Sequence, residues 1–419
     1  MTTEHEPLTG DRAVPHLKDF DPYRDAFRAD PYPEYARVRD HGGPVYWDYL
    51  DSYVVSHHAD AAAVLADPRL GLRPPDPVAE LLAVMVPESL RSMERTLLFQ
   101  DPPDHTRLRN LTRRPFASPR LHGVLAQARE GADRILAEAL RRGGLEVVDD
   151  LAFPVSLQAI GDLLGVPRAD LPLLKDWGQA MSPAADIPAD PGSIERAVEA
   201  FEAFDAYLGD IAERRRADPR DDLFSSLVAA EREGLMSRAE LHANAILVFI
   251  SGHETLVAFT ASAVLTLLRH PDQLALLRAR PELAASAAEE VMRYESPLQL
   301  ATAGGGRWTG EDIELSGRII PAGSRVLTFL GAANRDPAVH PDPDRFDITR
   351  DGTPHLALGH GLHYCLGAAL AKRQGTLMME ALATWPADFT SEAVDAPEWL
   401  PLFMQRRLAR LPVTVTARR

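Results

Sequence analysis

The stretch Leu358-Gly359-His360-Gly361-Leu362-His363-Tyr364-Cys365-Leu366-Gly367 contains the only cysteine of the chain, set among three glycines. Glycine lets the backbone come close to a partner and aim amide N–H groups at the sulfur. Donors so placed favour thiolate over thiol. A helix starting just after Cys365, which the apolar run Ala368 to Ala371 predicts, would add its positive end. Three fates fit such a thiol: an inert buried cysteine, a nucleophile with His363 or His360 as its base, or a thiolate ligand to haem iron.

Around this loop the chain has the make-up of a large folded core. Its 419 residues are 45 % hydrophobic and 25 % charged, which excludes a disordered or low-complexity function. The 45 basic and 61 acidic residues leave a net charge of −16. A field of that sign repels phosphate backbones and anionic lipid headgroups, so neither a nucleic acid partner nor polybasic membrane docking is expected. One cysteine excludes an intrachain disulfide and any multi-cysteine zinc or iron–sulfur site, and it suits the reducing cytoplasm.

Met1-Thr2-Thr3-Glu4-His5-Glu6-Pro7 has neither the basic nor the apolar region of a signal peptide. Residues 1–18 are expected to be a flexible segment, and 19–419 a single domain, since no repeat, linker or composition break divides them. The longest apolar segment, Ala243 to Leu268, is long enough to cross a bilayer. It carries Gly252-His253-Glu254-Thr255 in its middle, where an ionisable group is costly in lipid, so it predicts a buried central helix. Ser237 and Glu240 form a capping pair at its start, and Arg269-His270-Pro271 marks its end, giving a helix over Arg238 to Arg269. Helical patterning also covers Tyr32 to Arg39, Asp60 to Ala66, Leu121 to Arg142 and Glu195 to Arg216. Val45-Tyr46 and Tyr53-Val54-Val55 predict a hairpin; Ile313 to Leu315, Ile319-Ile320 and Val326 to Phe329 predict a second sheet region, with a turn at Pro321-Ala322-Gly323.

Four segments together resemble one family. Gly359-x-Gly361-x-His363-x-Cys365-x-Gly367 looks like the haem-binding signature of soluble bacterial (class I) cytochrome P450 monooxygenases. Glu290-Val291-Met292-Arg293 matches that family's Glu-x-x-Arg, and Ser251-Gly252-His253-Glu254-Thr255 its oxygen-activation motif. The run from Asp101 through Pro102, Pro103, Asp104 and His105 to Arg109 matches its haem-propionate segment. All four stand in the family's order and spacing, and the resemblance runs from about Asp30 to the C-terminus.

The resemblance implies a mainly α fold with a minor β region, a single P450-type domain holding haem b between a long central helix and the cysteine loop. It makes Cys365 the iron ligand, with Gly359 and Gly361 shaping the loop. It assigns His105, Arg109, Arg307 and His363 to the two haem propionates, whose buried charge needs partners. Arg109 follows His105 by four residues, so one helix face carries both. Glu290, Arg293 and Arg345 become a buried structural network that holds the cysteine loop. Glu254 and Thr255 become catalytic, Glu254 feeding protons from solvent and the Thr255 hydroxyl hydrogen-bonding the bound peroxide, where the family's helix opens beside Gly252. Back-bonding of Thr255 to its own helix is the structural alternative.

The implied reaction inserts one oxygen atom from O2 into an apolar, mid-sized to large substrate by hydroxylation or epoxidation. A polyketide or macrolide-type metabolite of antibiotic biosynthesis is the favoured class. The expected walls are Leu98 and Phe99, the helix face with Leu247, Val248 and Ser251, the stretch Leu298, Leu300 and Ala301, and the turn at Phe403 and Met404, a largely aliphatic set. Electrons are expected from a ferredoxin and its reductase, docking on Arg113, Arg114, Lys372 and Arg373 against the repulsion of the net charge. The protein is expected to be a cytoplasmic monomer without a membrane anchor. Two rivals remain: a peroxide-driven haem-thiolate peroxygenase, against which the Glu254-Thr255 pair speaks, and a non-catalytic haem sensor or carrier, which needs neither the pair nor an electron donor. Leu358 stands where the family has phenylalanine beside the sulfur, a change close to the iron whose sign the sequence leaves open.

Overall fold

The computed structural model describes residues 14–113, 116, 120–186, 189–301, 305–352 and 354–418. They form a mainly helical molecule with a minor sheet region. Its axis is the helix Arg238–Arg269, with the bounds the sequence predicts. The Glu240 N–H donates to Ser237 Oγ at 3.1 Å, and the Ser237 N–H donates to Glu240 Oε2 at 2.7 Å, so the exposed amides at this end are satisfied reciprocally. Among the described residues it is the one helix long and apolar enough to cross a membrane, and 78 % of its most apolar window is buried inside the molecule. Being apolar on all sides, it needs cover on all sides. Helices Phe153–Leu164, Pro191–Ala217, Ala284–Tyr294 and Ala368–Thr384 supply it. The helix expected after Cys365 is Ala368–Thr384, which also packs on Ala284–Tyr294 and Arg120–Arg142.

The predicted hairpin forms, with Val45 opposite Val54 and Trp47 opposite Ser52. The second sheet region forms differently from the expectation. Ile313–Leu315 and Arg318–Ile320 pair only with each other, whereas Arg325–Phe329 joins the hairpin's sheet in parallel, Val54 beside Leu327. Burial explains the choice: Val54, Leu327 and Phe329 enter one apolar cluster with Trp47 and Tyr35. Arg307–Thr309 pairs with the other edge of Arg325–Phe329, and Leu70–Gly71 lies beyond it. The N-terminal expectation is corrected in part. Leu17 donates to the Tyr46 carbonyl at 2.7 Å and Tyr46 to that of Pro15 at 2.9 Å, because Leu17 buries its side chain in the same cluster. The ordered chain therefore starts before residue 19; residues 1–13 lie outside the described residues.

Candidate functional site

The cysteine loop is a tight return held from both sides. Gly359 and Gly361 have φ of 73° and 67°, in the left-handed region that side chains avoid. At Gly361 space is decisive as well: a Cβ there would sit 2.5 Å from the Leu65 carbonyl oxygen, at the end of helix His58–Ala66. The Cys365 N–H donates to the Leu358 carbonyl at 2.8 Å and closes the loop. Burial pushes the Cys365 thiol up, while the Gly367 N–H and the nearby Arg109 guanidinium pull it down. The Gly367 N–H is a donor of the kind the glycines predict, but burial prevails over it and the thiol stays above its ordinary value.

Beside the loop four basic side chains meet. His105 and Arg109 lie on helix Asp104–Thr112, Arg307 opens the strand Arg307–Thr309, and His363 precedes the cysteine. The rings of His105 and His363 are 4.3 Å apart between centroids. Both ring nitrogens of each are buried without a hydrogen-bond partner. Burial first, then Arg307, His105 and Arg109, drive the His363 imidazole down to about 3. Burial, then Arg109, likewise lowers His105. Arg307 is only 7 % exposed. Asp101 is the acid felt by both His105 and Arg307, and its carboxylate already accepts from the Leu72 N–H at 2.9 Å. In a chain of net charge −16, this cluster of cations and orphaned donors calls for acidic oxygens from a ligand. Two propionates fit that requirement. Among the described residues no group of three or more His, Cys, Asp or Glu is arranged to hold a metal ion.

The central helix presents the oxygen-activation motif without a break. Thr255 Oγ1 donates to the Ser251 carbonyl at 2.9 Å, the back-bonded arrangement, and the ladder runs through Gly252. The expected local opening is therefore absent. Gly252 serves packing: a Cβ would lie 2.4 Å from Ile160 Cδ1 of the neighbouring helix. Glu254 is also placed differently from a group feeding protons directly from solvent, since it is 2 % exposed. Its oxygens stand 3.2 Å from His253 Nε2 and 3.4 Å from Arg407 Nε, as ion-pair contacts without aligned hydrogen-bond geometry. Burial raises its carboxyl, but His253, Arg407 and Lys175 outweigh this and hold it below the usual carboxylate range. His253 lies within the motif itself, though the resemblance assigns it no role; Arg407 and Lys175 come from distant segments and carry no sequence signal.

Glu290 and Arg293 form a fully buried bidentate pair, with Nε–Oε2 at 2.7 Å and Nη2–Oε1 at 2.8 Å. The third member is not the one expected. Arg345 is 66 % exposed and turns to Asp347, giving the network only its carbonyl. Arg350 takes the place, its Nε 3.2 Å from Glu290 Oε1. The link to the cysteine loop runs through Asn334: Arg293 donates to its carbonyl at 3.0 Å, and its Oδ1 accepts from the Leu356 N–H at 2.6 Å.

Of the expected walls, Leu98 and Phe99 are half-buried, Ser251 is exposed, and Leu247 and Val248 are almost covered within the main core. Leu298 and Ala301 pack beside Leu330 and Leu356. Two expectations are corrected. Leu300 and Phe403 are 1 % and 2 % exposed and belong to the aromatic core with Phe20, Phe27 and Trp47, because strand alternation sends Leu300 to the opposite face from Ala301. Met404 lies against that same core. On the cysteine side, Lys372 is tied to Glu289 at 2.8 Å, Arg373 leans on His122 at 3.1 Å, and Arg114 lies outside the described residues.

The family model described as cytochrome P450 matches residues 170–383. Among curated proteins the chain is similar to the vitamin D(3) 25-hydroxylase of Pseudonocardia autotrophica, 36 % identical over 418 residues that cover 95 % of this chain and 97 % of that protein. It is also similar to the 6-deoxyerythronolide B hydroxylase of Saccharopolyspora erythraea, 34 % identical over 402 residues that cover 93 % and 97 %. Among solved structures CalO2 has a TM-score of 0.88 at 36 % identity, covering 96 % of this chain and 100 % of that one.

Proposed function

This chain belongs to the cytochrome P450 family, and we propose that, as one of its haem monooxygenases, it binds haem b through Cys365 and transfers one oxygen atom from O2 to an apolar, mid-sized to large substrate of polyketide or macrolide type. The observation that carries this reading is the cluster of His105, Arg109, Arg307 and His363 beside the cysteine, with its orphaned ring nitrogens. When bound, the haem iron with a thiolate ligand supplies reductive activation of dioxygen. The substrate class rests on two relatives named for hydroxylating vitamin D(3) and 6-deoxyerythronolide B, and on the apolar Leu98, Phe99 and Leu298.

The protein's own residues bind, orient and relay. His105, Arg109, Arg307 and His363 neutralise two carboxylates and exclude water around them. Glu254, kept ionised by His253 and Arg407, takes up a proton and gives it up readily because its carboxyl is held low. Once rotation about χ1 frees Thr255 Oγ1 from the Ser251 carbonyl, its hydroxyl accepts that proton as it passes its own on into the pocket, so the relay is left unchanged. Electrons come from a ferredoxin and its reductase in the cytoplasm, the protein acting as a monomer; Arg113 and Arg373 offer the docking charge on the cysteine side.

The test is the absorption spectrum of the purified protein, reduced with dithionite under carbon monoxide. A Soret band at the thiolate-ligated position is expected. A band at the neutral-ligand position overturns Cys365 ligation, and protein that takes up no haem overturns the reading altogether.

A further inference from the structure

Between the strand Leu70–Gly71 and the helix Asp104–Thr112 the chain makes a long excursion that carries Leu98 and Phe99. Its first helix is thinly packed. Helix Asp76–Met85 has no buried residue, and Leu81, Val84 and Met85 are 57 %, 86 % and 68 % exposed. Further along, Leu97 is buried in the main core and Leu90, Met93 and Leu98 pack against it, and polar ties add to this hold. Asp101 accepts from the Leu72 N–H at 2.9 Å at the base, and Ser89 Oγ donates to Glu202 at 2.6 Å on the outside.

The third tie is buried and reaches the central helix. Asn244 is fully covered, and its carboxamide bridges two segments. Oδ1 accepts from the Leu97 N–H at 3.0 Å, while Nδ2 donates to the Glu240 carbonyl at 2.7 Å and to the Arg95 carbonyl at 3.4 Å. The orientation of the amide is fixed by these partners, since the Leu97 N–H can face only oxygen and the two carbonyls only nitrogen. Val248 and Ser251 follow Asn244 at i+4 and i+7 on the same helix face, and Leu98 and Phe99 follow Leu97 directly. Both amide hydrogens of Asn244 are spent within the protein, so it offers no donor to a ligand although it lies on this face.

We propose that Asn244 is the positioning residue that sets the size selectivity of the pocket: its carboxamide fixes the Arg95–Leu97 turn to the central helix and so fixes Leu98 and Phe99 relative to Val248 and Ser251. The inference rests on the reading of this region as a haem pocket. A pre-set roof binds a large ligand without the cost of ordering it, whereas a ligand too small to reach the roof is indifferent to it.

The experiment uses the holoenzyme, with imidazole and clotrimazole as small and large iron ligands followed by the Soret shift, and amide hydrogen exchange followed by mass spectrometry. Asn244→Leu keeps the volume and removes all three bonds. It should weaken clotrimazole roughly tenfold, leave imidazole unchanged, and speed exchange over residues 95–99 without affecting residues 255–265. Asn244→Asp keeps the acceptor for the Leu97 N–H and should hold exchange at Leu97 slow. Equal weakening of both azoles, or unchanged exchange over 95–99, overturns the proposal. If the unaltered protein gives no azole shift, the haem reading falls instead, and the exchange comparison still decides whether Asn244 holds the turn.

Discussion

Arg345 and Arg350 both lie within reach of the Glu290–Arg293 pair along the chain, yet only Arg350 delivers its guanidinium to it. Arg350 also donates to the carbonyls of Pro341 at 2.8 Å, Asp342 at 2.7 Å and Arg345 at 3.1 Å, so it fastens a turn as well as a charge. Glu290 has no exposure, and a buried carboxylate that loses one of its two cations keeps part of its compensation through the other. Arg350→Ala should therefore cost about 2 kcal/mol in urea denaturation of the holoenzyme and lower haem retention on dilution, while Arg345→Ala stays within about 0.5 kcal/mol. Equal losses for the two variants would restore Arg345 to the network. The motif residues Glu290 and Arg293 were legible because their spacing is local to one helix. The choice between two arginines in a loop was not, since backbone direction between Pro343 and Arg350 decides it and no periodicity encodes that.

The central helix was legible to its ends because its signals are local: a capping pair, an apolar run, a basic last turn and a proline. What its glycine does was not, because the answer sits on another helix. Gly252 meets Ile160, whose Cδ1 and Cγ1 would lie 2.4 Å and 2.9 Å from an added Cβ. The same blindness affects the sheet, where Val54 finds Leu327 across most of the chain and the sequence offers only two separate strand patterns. Gly252→Ala should overpack this contact and destabilise the holoenzyme by about 1–3 kcal/mol, and Ile160→Val in the same chain should recover at least half of that loss. Thermal unfolding of the single and double variants measures the coupling. Additive losses would show that Gly252 is required for something other than room beside Ile160.

At the scale of the whole molecule, the surface is strongly acidic while several cations are buried, and pH acts on the two populations in different windows. Acids held low by charged partners, such as Glu254 and Glu240, or by hydrogen bonds, such as Asp347 from Thr349, add stability that is present above the unfolded carboxylate range near 4 and lost below it. Histidines pushed down by burial act higher. His340 is 3 % exposed and is driven to about 4 by burial first, then by Arg293, His58 and Arg350, with Asp336 opposing. Its unfolded value is near 6.5. Between those values the unfolded chain binds a proton that the folded one refuses, so the contribution of His340 is complete above about 6.5 and is lost as pH falls toward 4. His105 and His363 are lowered too, by burial first and then by neighbouring cations, and in the proposed haem site two carboxylates would oppose that depression. The acid side of the stability curve between pH 5 and 7 should accordingly belong mainly to His340. Urea denaturation of the holoenzyme at both pH values should show a fall that His340→Gln reduces by about 2 kcal/mol, with little change in stability at pH 7. A variant whose curve keeps the full slope would move the acid sensitivity to another group, and His105 and His363 would be the ones to examine by the same pair of measurements.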